Sequence, residues 1–61
     1  MIEMTEKRLR MINSALCAYI AQLESDRQAL AEDDPGFRRF TALIDEYTSL
    51  KEDIEILLLR Y

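Results

Sequence analysis

Sixty-one residues make one domain at most, and a chain of that size buries only about 60% of its unfolded surface, so stability is marginal without a staple. A single cysteine rules out an intrachain disulfide, and the absence of histidine removes both a Cys/His zinc site and the usual general base. Twelve acids against eight bases give a net charge of -4, which disfavours nonspecific binding to nucleic acid or anionic lipid.

From about residue 3 to 32 the apolar residues Leu9, Ile12, Leu16, Tyr19, Leu23 and Leu30 follow one another at alternating spacings of three and four, with Asp26 filling the missing step. That periodicity, in a background of Ala, Leu, Glu, Gln, Arg and Met, predicts a first helix. Glu3 with Lys7 and Glu6 with Arg10 are acid-before-base pairs at i,i+4, each contributing a few tenths of a kcal/mol to a helix. Beside the seam lies a second face of Met4, Met11, Ala15, Ala18 and Ala29, centred roughly 100° away on a 3.6-residue wheel. Two readings stand for it: a solvated face on which alanine merely favours helix, or a docking face that another backbone approaches closely.

Glu32, Asp33 and Asp34 oppose the dipole at the end of one helix and suit the start of the next, and Asp34-Pro35 is a strong helix opening. The turn is therefore expected at about residues 33–35, where the only proline and the only glycine sit together.

A second helix is expected over about residues 35–60. Phe40, Leu43, Tyr47, Leu50, Ile54, Leu57 and Tyr61 form its seam. Phe37, Ile44 and Leu58 widen the apolar arc to roughly 160°, more than one neighbouring helix covers. Ile56 and Leu59 lie outside even that arc, so the last turns are apolar nearly all round. The expected fold is all-α, an antiparallel two-helix, coiled-coil-like hairpin spanning residues 1–61 that packs on a partner or self-associates. Facing seams would set Leu30 on Phe37, Leu23 on Ile44, Ile20 on Tyr47, Leu16 on Leu50, Ile12 on Ile54 and Leu9 on Leu58.

No catalytic, cofactor-binding or metal-binding residue is expected. Cys17 has no histidine to activate it, and the acids at Asp33/Asp34, Asp45/Glu46 and Glu52/Asp53/Glu55 read as a solvated face. The bases Lys7, Arg8, Arg10, Arg27, Arg38 and Arg39 are interleaved with acids and form no stripe for nucleic acid. The lone thiol and the polar start carrying Glu3 and Glu6 fit a cytoplasmic protein without a signal peptide, and the longest apolar run, Ile56 to Leu59, is too short for membrane insertion.

Within this hairpin pattern, Ile20-Ala21-Gln22-Leu23, Arg27, Leu30 and Glu32 in the first helix, and Asp34-Pro35, Phe37, Thr41, Leu43, Asp45, Ile54-Glu55-Ile56 and Arg60-Tyr61 in the second, carry a resemblance. The stretch from roughly Tyr19 to Tyr61 resembles the very small co-chaperones of bacterial type III secretion, the YscE/SsaE/EscE-like family, and most of all its SsaE-like branch. The resemblance implies a non-enzymatic cytoplasmic protein of a bacterium and of its virulence apparatus. Its partner would be a second chaperone of tetratricopeptide-like repeats, and the two together would keep the needle subunit unpolymerised before export. The partner-facing surface is expected to include Met11, Ala15, Ala18, Tyr19, Leu43, Leu50 and Leu57, chosen as the apolar residues the internal seam need not consume. Two alternatives stand beside this one: a self-sufficient homodimer forming a four-helix bundle of Rop-like regulatory type, and a Spo0E-like hairpin acting on response regulators. The latter lacks that family's Ser-Gln-Glu-Leu-Asp run, with Thr41-Ala42-Leu43-Ile44-Asp45 in its approximate place.

Overall fold

A computed structural model describes residues 3–61 and shows an all-α antiparallel hairpin of α1 (Glu6–Gln28) and α2 (Pro35–Leu58). Thr5 opens α1: its backbone is extended and its Oγ1 accepts the Arg8 N–H at 3.2 Å, satisfying one free first-turn donor. The helix therefore starts three residues later than the expected position 3. Glu3 lies ahead of the cap, where its carbonyl accepts from Arg8 Nη1 at 2.9 Å, so the expected pairing of Glu3 with Lys7 does not form. Glu6 and Arg10 do pair, at 2.8 Å.

The C-terminal end of α1 falls at Gln28, four residues short of the expected boundary. Ala29 and Leu30 donate to the carbonyls of Asp26 and Arg27, three residues back, so the last turn tightens and the chain leaves the helix before the acids of residues 32–34 can oppose its dipole. A second turn, Asp34 N–H to Ala31 O at 3.0 Å, brings the chain round. Asp34 then caps α2, its Oδ1 accepting the Gly36 N–H at 2.7 Å, with Pro35 in the first turn. Gly36 leaves room here: a Cβ on it would lie 3.1 Å from both Leu30 Cδ1 and Asp34 Oδ1, so the bare backbone lets Leu30 fold over the turn without either side chain shifting. At the other end α2 finishes at Leu58, two residues before the expected boundary, and the N–H groups of residues 59–61 continue in turns onto Ile56, Leu57 and Leu58.

The core is a single layer between the helices, in two clusters. Leu9, Leu16 and Ile54 form one, with Ile12, Tyr47 and Leu58 against it; Ile20, Leu23 and Ile44 form the other, with Phe40 and Tyr47 against it. Leu23 with Ile44, Ile20 with Tyr47, Ile12 with Ile54 and Leu9 with Leu58 thus share clusters as the facing seams require. Leu16 differs from the expectation. It packs in the Ile54 cluster, while Leu50 is 44% exposed and belongs to neither. The missing step of the first seam is filled by Arg27, whose guanidinium lies 5.5 Å from the Phe37 ring centre and donates to Thr41 Oγ1 at 3.3 Å. Asp26 turns aside and accepts from Gln22 Nε2 at 2.9 Å.

Candidate interaction surface

Two parallel cylinders make a slab, here 43 × 22 × 14 Å, and a slab has two broad sides. The helical wheel decides what each displays. On α1 the buried residues Leu9, Leu16, Ile20 and Leu23 set the inward direction, and Ile12 and Tyr19 fall about 50–70° to one flank. On α2 the inward direction is set by Phe40, Ile44, Tyr47, Ile54 and Leu58, and Leu43, Leu50 and Leu57 fall about 60–100° to one flank. For an antiparallel pair of right-handed helices these two flanks lie on the same side of the slab. The contacts agree: the Tyr19 ring meets Tyr47 edge-on, with centroids 5.0 Å apart, and Tyr61 Oη donates to the Met4 carbonyl at 2.9 Å.

One side of the hairpin is accordingly apolar along its length. From the turn end it presents Leu43, Tyr19, Leu50, Ile12 and Leu57, then Met11, Met4 and Tyr61 at the open end. Apart from half-buried Ile12, each of these is exposed. At the open end Met4, Arg8, Met11 and Ile12 line a shallow apolar notch of about 390 Å³. Methionine is suited to such a place because its unbranched thioether adapts to whatever packs on it.

The other side is polar. It carries Asn13, Cys17, Glu24, Thr41, Thr48 and Lys51, and both ion pairs among the described residues, Glu6 with Arg10 and Lys51 with Glu55, lie there. The hydrogen bond to Glu55, reinforced by that carboxylate's charge, raises the Lys51 ammonium above its ordinary pKa. Among the described residues no group of three or more Cys, Asp or Glu side chains comes together in a way that could hold a metal ion, and no helix is long and apolar enough to cross a membrane.

The seven residues expected to face a partner are all exposed, but the structure divides them. Tyr19, Leu43, Leu50 and Leu57 share the apolar side, whereas Met11 lies about 150° from the buried face of α1 and reaches that side only as a wall of the notch. Ala15 sits at its edge on α1, and Ala18 is about 170° from the buried face, on the back of the helix. Sequence reasoning left Ile12 and Tyr61 in the internal seams rather than on this side, and placed Met4 on the second α1 face, read as either solvated or docking, without counting it among the seven. By heptad spacing Tyr61 continues the inward row of Phe40, Tyr47 and Ile54; its place at the open end is set beyond the helix, by the hydrogen bond to the Met4 carbonyl. Met4 precedes the Thr5 cap, where helical spacing no longer says which way a residue faces. Ile56 and Leu59, 57% and 84% exposed, project away from the leucine row.

With the fold and its one-sided surface defined, the class is a small helical hairpin with an unpartnered apolar side. No protein-family model matches the chain, nor does any curated protein or solved structure.

Proposed function

We propose that the chain is a non-enzymatic interaction protein, a co-chaperone of type III secretion that pairs with a tetratricopeptide-repeat chaperone and through it holds the needle subunit unpolymerised in the bacterial cytoplasm. The observation that carries the binding role is the apolar side itself. Leu43, Leu50 and Leu57 lie one heptad apart on α2, exposed, with Tyr19 alongside. A row of leucines at that spacing is a seam for another helix. The finer identity rests on the resemblance carried by Ile20 to Leu23, Asp34-Pro35, Ile54 to Ile56 and Arg60-Tyr61. Helical-repeat proteins present concave and terminal helix faces that need capping, and a rigid hairpin with spare apolar surface supplies that.

Co-expression with the tetratricopeptide-repeat chaperone of a type III secretion system from the same source tests it. The expected result is a stable one-to-one complex that takes up needle subunit and is lost in Leu50→Asp. If no complex forms, and sedimentation equilibrium instead finds a dimer of this chain that persists on hundredfold dilution, the homodimeric bundle replaces this reading.

A further inference from the structure

The leucine row on α2 is bordered by a second row at heptad spacing, Arg39, Glu46, Asp53 and Arg60. Arg39, Glu46 and Asp53 lie within α2, four residues before or three after one of the leucines, which sets them about 40–60° beyond Leu43, Leu50 and Leu57, on the flank away from Phe40, Tyr47 and Ile54; Arg60 follows in the turn after Leu58. All four are exposed, and among the described residues none takes part in an ion pair. On α1 the same side carries Arg8 at the open end and, toward the turn, Asp26, which continues the Ile12 and Tyr19 row and accepts from Gln22 Nε2; Ala15 and Gln22 carry no charge. The unbroken charged row on this side is that of α2, which reads basic, acidic, acidic, basic.

That order is the same from either end. In the antiparallel register that lays one copy's leucine row over another's, Leu50 meets Leu50 and Leu43 meets Leu57, which sets Glu46 opposite Asp53 and Arg39 opposite Arg60. Like charge meets like at all four positions, the arrangement by which flanking residues reject a pairing in coiled coils. A helix of the opposite order satisfies all four.

We propose that the occupant of the apolar side is a foreign amphipathic helix of about three heptads whose apolar row is flanked by two basic residues one heptad apart at its centre and by acidic residues beyond them. This rests on the docking role proposed above and adds to it the charge pattern by which the partner is chosen over a second copy of this chain.

Two synthetic peptides test it. Both are amphipathic helices of about three heptads with the same leucine row; one carries lysine at the two central flanking positions and the other glutamate. Titrated against the intact chain at low ionic strength, the lysine peptide is expected to bind about tenfold tighter, and the preference is expected to reverse in Glu46→Lys/Asp53→Lys, whose helix content should match the parent. Equal binding of the two peptides, abolished by Leu50→Asp, would overturn the charge pattern and leave the docking role standing. If neither peptide bound, both the charge pattern and the docking role would be overturned. Tight self-association of the unmodified chain under the same conditions would overturn the proposal in favour of a second copy.

Discussion

Replacing Leu23 by alanine separates the residues that hold the hairpin together from those it leaves free. Leu23 is 3% exposed and packs with Ile20 and Ile44 beneath Phe40 and Tyr47. Leucine-to-alanine changes in closed cores cost about 2–5 kcal/mol, and in a core one layer thick the surroundings can partly collapse, which places this one at about 2–3 kcal/mol. A chain of this length has on the order of 3–9 kcal/mol of stability in total, so the variant should lose a large part of its folded population. Leu50→Ala is the control. At 44% exposed, Leu50 has roughly half of a leucine's burial to lose, about 1 kcal/mol. Urea unfolding followed by helical circular dichroism, at low micromolar concentration, should show the midpoint falling two to three times further for Leu23→Ala at unchanged slope. An equal or larger cost at Leu50 would mean that the leucine row is consumed within the fold, and the division of the molecule into core and free surface would fail.

The caps and the open end give two further expectations. Asp34→Ala should cost about 1–2 kcal/mol and Thr5→Ala about 1 kcal/mol or less, both read from thermal midpoints, because Asp34 caps the helix that turns the chain while Thr5 caps an end with few contacts. Tyr61→Phe removes the hydrogen bond to the Met4 carbonyl; global stability should fall by only about 0.5 kcal/mol, whereas amide exchange in the last turn of α2 should quicken, and unchanged exchange would count against the contact.

Much of the fold is legible in the sequence because it rests on spacing. The steps of three and four from Leu9 to Leu23 and from Phe40 to Leu58 specify two helices, and Asp34-Pro35 specifies where the second begins. What spacing leaves undetermined is which of two adjacent rows on α2 goes inside. Phe40, Tyr47 and Ile54 alternate with Leu43, Leu50 and Leu57 in one seam, and either row could face α1. The inward row is settled by packing: Tyr47 bridges both clusters and meets Tyr19, which turns the leucines outward and leaves Leu16 to Ile54. The end of α1 escapes the pattern for a related reason. Residues 29–32 keep helical propensity, but the chain has to reverse there, and the reversal uses the turns onto Asp26, Arg27 and Ala31. In the sequence Arg27 is one of several interleaved bases. Its stacking on Phe37 across the hairpin depends on a tertiary contact that no local pattern reports.

The apolar side is assembled from both helices, Tyr19 and Ile12 from one, Leu43, Leu50 and Leu57 from the other, so it exists only while the hairpin is closed. Opening the chain dissolves the binding surface together with the core, and by mass action any ligand of that surface must hold the hairpin shut, adding stability that grows with the logarithm of its concentration above the dissociation constant. Folding and occupancy are then one equilibrium. If the proposed partner covers this side, a chain left without it spends more time open, exposed to proteases, and its abundance would track that of the partner.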